Sequence, residues 1–591
     1  MHDDRHDPLG DATYDVVVVG SGAGAMTAAL RAHDQGLSVL VVEKGTVYGG
    51  TTAVSGGGIW IPCNDQIAAL GGSDSYDEAI TYLRDVVGED FDAQRIDAYL
   101  ENGPKMVAYL AKHAHTRFNA VPRYPDYYPD RKGGKPGYRT MEPAAFDAAR
   151  LGPHFDTLRA PSPATLIGGR ITMTQIEAHT ILAKERGWLR LAARLMLRYA
   201  TDLRWRRRTP RDRRLTLGNA LVASLRAALA QRGIALWLAT PMRSLHTDGT
   251  RVDGVIVERD GRPFGIRATH GVVLACGGFE ANQAMRDQYL PKPTRAEWSA
   301  APPINTGDGI RAGLALGADV ALMDFVWGVP TVRVPGEEKQ RGLFVERSAP
   351  RCVMVNRLGR RFINESAPYP DVIHAMYADH AKTGANMPAW MIFDAEYRKR
   401  YPCGVLLPGS VQPDSKMPAG WLDSVIYRAG TLAELAAKIG VDAQGLAQTV
   451  EQMNGYALTG IDTEFGKGGN LFDRYYGDSS SKPNPCLGPI ERAPFYALRI
   501  DPGEIGTKGG LRTDAQARVL RPDGSVIDGL YALGNTSAAV MGKTYPGPGS
   551  TIGPAMTFGY VAADHIASVR QAAQAVAQQA GCRRAENTAS G

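Results

Sequence analysis

The apolar and polar positions near the amino terminus alternate between two periods. Residues 16–19 form a short β-branched run that reads as a fully buried strand, and residues 38–42 read as a second. Between them, 26–33 carries apolar residues at helical spacing. Farther on, 76–112 keeps helical periodicity, broken at Gly88 and again at Gly103-Pro104, and 215–233 reads as another helix. Two more buried strands end in small-residue turns, at 271–278 and at 529–535, and Ile552-Gly553-Pro554 opens a last helix. From about 297 to 500 this alternation is lost, and the stretch reads as a separate α+β unit with a strand-like segment at 390–394. After about 571 the chain is rich in alanine and glutamine and reads as a disordered tail.

The first strand runs directly into Gly20-Ser21-Gly22-Ala23-Gly24-Ala25. Gly20 permits a tight turn, Gly22 lets the backbone approach a pyrophosphate, and the small Ala25 lets helix and strand pack closely. The helix amino terminus then offers free N–H groups and partial positive charge to phosphates. The second strand ends in Glu43, 23 residues after Gly20, where an acid accepts hydrogen bonds from an adenosine ribose. Strand, glycine turn, helix and acid in that order predict a dinucleotide site.

With 591 residues, the chain exceeds a single core and implies two or more domains. Its six cysteines are scattered without a CxxC, and its twelve histidines form no ligand pair. This pattern reads as reduced intracellular thiols with no metal or iron–sulfur cluster. The polar start MHDDRHDPLGDAT is no signal peptide, and no run of eighteen apolar residues exists to cross a membrane. A cytoplasmic protein is expected.

The small, hydroxyl-rich loop at 49–58 follows Glu43 and Lys44 and is pinned by Ile59-Trp60-Ile61. Such a loop presses its backbone on a pyrophosphate and a flat ring system, which a nicotinamide cofactor does not need at that place. FAD, held without a covalent bond, is therefore the expected cofactor. The residues expected to bind it are Gly20, Gly22, Ala23, Gly24, Ala25, Glu43, Lys44, Gly50, Thr51, Thr52, Ser55, Gly56, Gly57, Ala275, Gly277, Asp308, Gly534, Asn535, Thr551 and Ile552. The pattern resembles the FAD-binding domain of flavoproteins that include fumarate reductase, L-aspartate oxidase and the 3-ketosteroid dehydrogenases. The fold class expected is α/β: a Rossmann-like FAD-binding domain, discontinuous over 1–296 and 497–570, with an inserted α+β catalytic cap at 297–496 and a tail at 571–591.

The segment after the flavin-contacting Gly534-Asn535 lacks the arginine with which fumarate reductases clamp a dicarboxylate. It reads Tyr545-Pro546-Gly547-Pro548-Gly549, similar to the YPGxG element of the 3-ketosteroid Δ1-dehydrogenases. That resemblance extends to PDYY at 125–128, NESxPY at 364–369, Asn305-Thr306-Gly307-Asp308-Gly309 and Gly506-Thr507-Lys508-Gly509-Gly510. It implies Tyr369 as catalytic base and Tyr127 as its assistant. Removing an α-proton beside a ketone also requires donors on the ketone oxygen, which are assigned to the Tyr545 hydroxyl and the Gly549 N–H. The resemblance implies a 3-ketosteroid substrate and an artificial or quinone-type acceptor. The rivals are a 3-ketosteroid Δ4-(5α)-dehydrogenase and a membrane-docked flavin electron carrier.

One stretch stands apart. Residues 184–214 hold twelve Lys/Arg against three Asp/Glu, a net +9 in a chain of +6. At 100° per residue, Arg186, Arg190, Arg194, Arg198 and Arg204 share one side, and Trp188, Leu191, Ala192, Leu195, Met196, Tyr199 and Leu203 the other. A basic amphipathic helix edged with tryptophan lies in anionic membrane interfaces, which makes peripheral membrane attachment the expectation. The plainer alternative is a helix packed on the protein with a solvated basic face. No nucleic-acid fold surrounds the cluster, so nucleic acid is not an expected partner.

Overall fold

The computed structural model describes residues 9–589. Most of the polar amino-terminal stretch, and the last two residues of the expected tail, lie outside them. Strand Ala12–Val19 centres the first sheet, flanked in parallel by Val39–Val42 and by Arg262–Leu274. Ala235–Trp237 extends it on one side, and Val526–Ala532 joins Arg262–Leu274 in parallel on the other, so both ends of the chain build one sheet. Val252–Arg259 and Met242–Thr247 continue it as an antiparallel meander. The valines at 16–18 and the Val39-Leu40-Val41-Val42 run are buried as expected for parallel strands covered on both faces.

Helix Ala23–Asp34 packs on the closing helix at backbone distance. A Cβ on Gly24 would meet the Ala555 carbonyl oxygen at 2.6 Å, and one on Gly559 the Gly24 oxygen at 2.5 Å. The closing helix runs Ile552–Ala589, in place of a disordered tail from 571. The alanine and glutamine that suggested disorder are also good helix formers. Gly103-Pro104 does not end its helix either: Ala93–His113 passes through Pro104. A proline inside a helix costs about 3 kcal/mol, and burial of Ile96, Tyr99, Leu100, Met106 and Leu110 along the same face offsets it.

The inserted unit is built on a mostly antiparallel sheet in which Phe495–Thr507 pairs with Val326–Val332, Ala389–Phe393 and Ile426–Ala429. The chain therefore returns to the first sheet after Thr507, and a boundary at 497 would cut this strand. Helix Tyr369–Thr383 lies close on Val326–Val332, where a Cβ on Gly328 would meet Ile373 at 2.7 Å.

The basic stretch is two helices, not one. Trp188–Thr201 stops at Asp202, whose carboxylate accepts the Trp205 N–H at 3.4 Å and starts Leu203–Arg206. Arg198 leaves the cationic side to pair with Asp212 at 2.6 Å. Leu195 is buried, and the Tyr199 hydroxyl donates to the Pro210 carbonyl at 2.7 Å, so these two of the seven residues in the expected lipid-facing arc are engaged by the protein.

Candidate active site

The two units enclose a cavity of about 1540 Å³. Every residue expected at the cofactor lies on its wall: Gly20, Gly22, Ala23, Gly24 and Ala25 with Glu43 and Lys44; Gly50, Thr51, Thr52, Ser55, Gly56 and Gly57; Ala275, Gly277 and Asp308; and Gly534, Asn535, Thr551 and Ile552. The glycine turn forms the cradle. A Cβ on Gly22 would meet only the Thr52 hydroxyl, at 3.6 Å, and one on Gly50 only the Gly22 Cα, at 4.0 Å. Gly50 has φ +52°, and Gly56 faces open space. These positions leave room for an extended pyrophosphate between two backbone segments. Glu43, buried at the end of its strand, accepts from Ser21 Oγ at 2.5 Å and from the Gly45 N–H at 2.8 Å.

Lys44 and Asp308 are engaged with each other. The Lys44 ammonium donates to Asp308 Oδ2 at 2.6 Å and to Thr306 Oγ1 at 2.7 Å. Burial opposes ionisation of Asp308, but Lys44 reverses it and holds the carboxyl below its ordinary range. The pair locks the second strand of the first sheet to helix Asp308–Ala315 of the inserted unit.

Three tyrosines from distant segments meet on the far wall. Ring centroids of Tyr127 and Tyr369 are 5.8 Å apart, of Tyr127 and Tyr545 5.1 Å, and of Tyr369 and Tyr545 5.6 Å. All three are buried and face the cavity. Backbone bonds explain how PDYY reaches YPGPG: the Pro546 carbonyl accepts the Tyr127 N–H at 2.9 Å and the Tyr82 hydroxyl at 2.6 Å. Thr140 Oγ1 donates to the Pro548 carbonyl at 3.0 Å. Asp126 is fixed beside Tyr127 by Arg139 and Trp60 Nε1, each at 2.7 Å. Tyr369 opens its helix directly after Pro368. The preceding loop is held by Glu365, which takes both arms of Arg361 at 3.0 Å, and by Asn364, which donates to Asp473 at 2.8 Å.

The Tyr127 hydroxyl acts on Tyr369 so as to favour its charged form. Burial pushes the Tyr369 phenol well above its ordinary range, with Tyr545 adding to the rise and the Tyr127 hydrogen bond opposing it. Thr551 Oγ1 donates to the Tyr545 oxygen at 3.3 Å. Gly549 has φ +105°, and a Cβ there would strike the Ile59 backbone at 2.5 Å, so only glycine fits. Among the described residues no backbone acceptor takes its N–H. Three buried phenols and the Gly549 N–H thus share one wall, an arrangement suited to proton abstraction beside a carbonyl.

A model of the FAD binding domain family matches residues 15–552. Over 566 residues the chain is 45% identical to the 3-oxosteroid 1-dehydrogenase of Mycobacterium tuberculosis, an overlap covering 94% of this chain and 98% of that one. The chain belongs to the 3-oxosteroid 1-dehydrogenase family of FAD-binding flavoproteins. Among solved structures it matches the 3-ketosteroid Δ1-dehydrogenase from Sterolibacterium denitrificans, in complex with 1,4-androstadiene-3,17-dione, with TM-score 0.92 and 55% identity. That match covers 94% of this chain and all of the other. The 3-ketosteroid Δ4-(5α)-dehydrogenase from Rhodococcus jostii RHA1 matches at TM-score 0.63 and 22% identity, over 94% and 97% of the two chains, and shares the fold.

In this family member the cavity also holds residues that no motif pointed to. Phe344, Phe472, Ala300 and Ile505 supply apolar wall. Phe344 stands edge-on to Tyr369 at 5.2 Å. Arg347 is fully buried and donates to the backbone carbonyls of Leu343, Phe344, Glu365 and Ala367, bracing the loop that leads to Tyr369. Burial pulls its guanidinium down to about 10. An isolated arginine in an unremarkable stretch carries no sequence signal for this role. Trp188, Leu189, Ala192 and Met196 of the basic stretch line the same cavity, as do Leu407 and Val411.

Proposed function

We propose that the chain is an FAD-dependent 3-ketosteroid Δ1-dehydrogenase in which Tyr369 is the base. The observation that carries this reading is the convergence of Tyr127, Tyr369, Tyr545 and the Gly549 N–H on one cavity wall. FAD, when bound along Gly20–Ala25 and the 49–58 loop, supplies the acceptor for the hydride from C1. The Tyr545 hydroxyl and the Gly549 N–H donate to the C3 ketone oxygen, making the C2 proton more acidic and stabilising the developing enolate. Tyr369 takes that proton as the C1=C2 bond forms. A tyrosine titrates near ~10 when free, and burial raises it, so the base needs support. The Tyr127 hydrogen bond favours the phenolate, and the buried Arg347 cation acts on the Tyr127 it lies near. The apolar wall at Phe344, Phe472 and Ile505 holds the steroid rings and excludes water. A quinone-type or artificial acceptor then takes the electrons.

We propose further that the protein rests at a membrane surface. No helix among the described residues is long and apolar enough to cross one. Instead helix Trp188–Thr201 exposes Leu189, Met196 and Leu197 along one strip, with Leu203 beyond it, at 66%, 48%, 65% and 61%. Arg190 and Arg194 flank the strip, also exposed. With Leu195 and Tyr199 packed, Leu189 and Leu197 join Met196 and Leu203 as the proposed lipid contacts; Leu189 and Met196 also line the cavity, where an apolar steroid would pass from bilayer to site.

Anaerobic mixing with androst-4-ene-3,17-dione tests the function. Rapid loss of flavin absorbance with a 1,4-diene product is expected. No bleaching would favour an electron carrier instead.

A further inference from the structure

Behind the three tyrosines lies a polar cluster that does not line the cavity, and it includes the lysine of Gly506-Thr507-Lys508-Gly509-Gly510. Lys508 is wholly buried. Its ammonium donates to the carbonyls of Gly542, at 3.1 Å, and Thr544, and it lies 4.1 Å from the centre of the Trp327 ring. Among the described residues no carboxylate is within ion-pair distance of it, and burial pulls it well below its ordinary range, against the attraction of Asp371 and Asp90. A buried amine whose charged form is disfavoured and which has no direct counter-ion is expensive, and a hydrocarbon side chain would pack there at lower cost. What a hydrocarbon could not do is gather the 542–544 carbonyls that precede Tyr545.

The neighbouring bonds reach the other two tyrosines. The Tyr128 hydroxyl donates to Asp371 Oδ1 at 3.0 Å and accepts from Thr544 Oγ1 at 3.5 Å. Tyr128 adjoins Tyr127, Asp371 lies in the first helical turn that Tyr369 opens, and Thr544 adjoins Tyr545. Trp327, beneath the ammonium, packs edge-on against Tyr545 at 4.9 Å and donates from Nε1 to Asn535 Oδ1 at 3.1 Å. One cluster therefore touches the segment carrying each catalytic tyrosine and the asparagine expected at the flavin.

We propose that Lys508, Tyr128 and Asp371 form a positioning latch that fixes the three tyrosines in mutual register for the reaction. The proposal rests on the function given above. Its residues contact neither substrate nor cofactor, so they act through the backbone turns they tie together. A displacement of about 1 Å in such a site can cost roughly a hundredfold in rate. Steroid binding, which is dominated by the apolar wall, is far less sensitive.

The test uses the FAD-loaded enzyme with Tyr128→Phe, Lys508→Met and the double variant. The readouts are the rate constant of flavin bleaching by saturating androst-4-ene-3,17-dione and the dissociation constant of 1,4-androstadiene-3,17-dione by absorbance titration. Each single variant is expected to lose roughly ten- to a hundredfold in rate while the dissociation constant changes less than about threefold. The double variant should be no slower than the worse single one, because both break one device. Tyr128→Phe removes one oxygen and keeps the ring, so it decides the matter even if Lys508→Met fails to fold. A Tyr128→Phe rate within twofold of the parent, or a loss of affinity matching the loss of rate, would overturn the latch. If the parent itself gives no 1,4-diene, the functional reading fails first, and the two failures are told apart.

Discussion

Tyr369→Phe deletes one oxygen from the centre of the proposed site and leaves its shape. The ring stays packed against Phe344, Tyr127 and Tyr545, so the steroid's surroundings are kept. The change removes the proton acceptor, whose contribution is typically 10²–10⁴-fold, or about 3–5 kcal/mol of barrier. It also strips the Tyr127 hydroxyl of its acceptor, and a buried unpaired donor costs about 1–3 kcal/mol of stability. Folding should therefore weaken modestly, and the bleaching rate should fall by at least a hundredfold. The dissociation constant of 1,4-androstadiene-3,17-dione should stay within about threefold of the parent value. Stopped-flow bleaching under anaerobic conditions measures the first quantity and absorbance titration the second. A rate within about tenfold of the parent would refute Tyr369 as the base.

Tyr545→Phe should impair both binding and rate, the rate by about a hundredfold or more, because it removes a donor to the ketone in ground and transition states alike; unchanged affinity would contradict that role. All yellow colour should leave the protein on acid precipitation, since among the described residues no histidine lines the cavity and its cysteine, Cys276, is pushed by burial up to about 11; colour retained in the pellet would mean a covalent flavin. Glu365 is held below the ordinary glutamate value of 4.5, since burial raises it but Arg361 and Lys467 more than reverse that. Its stabilisation is thus complete above about 4.5 and lost as pH falls further, so the thermal midpoint should drop below that pH, less steeply in Glu365→Gln; parallel pH profiles would count against this. Co-sedimentation with anionic vesicles at low salt should be largely abolished by Leu197→Glu with Leu203→Glu, neither of which lines the cavity, while turnover of soluble androst-4-ene-3,17-dione persists; equal sedimentation would make the basic stretch a structural helix. Deleting 184–214 is a poorer test, because Trp188, Ala192 and Met196 form cavity wall.

The parts legible in the sequence were those where local backbone chemistry and function coincide. A turn that only glycine can make at Gly20, and one Cβ-free approach at Gly549, are written directly into the chain. Three tyrosines were locatable because each sits in a short motif of prolines and polar residues that builds its own loop. Tertiary context hid the rest. Pro104 stays helical because its helix is buried along one face, and the alanine-rich end is helical where composition suggested disorder. Arg198 and Lys44 look like free cations until Asp212 and Asp308 arrive from elsewhere in the chain. Lys508 and Arg347 bond mainly to backbone carbonyls, and such partners leave no mark in the sequence of the segments they hold.

Δ1 and Δ4 dehydrogenation differ in which carbon–carbon bond is oxidised. The most direct measurement gives the FAD-loaded enzyme 5α-androstane-3,17-dione, which is saturated at both C1–C2 and C4–C5, and identifies the first product by chromatography and mass spectrometry. The expected first product is 5α-androst-1-ene-3,17-dione. Androst-4-ene-3,17-dione as the first product would contradict it.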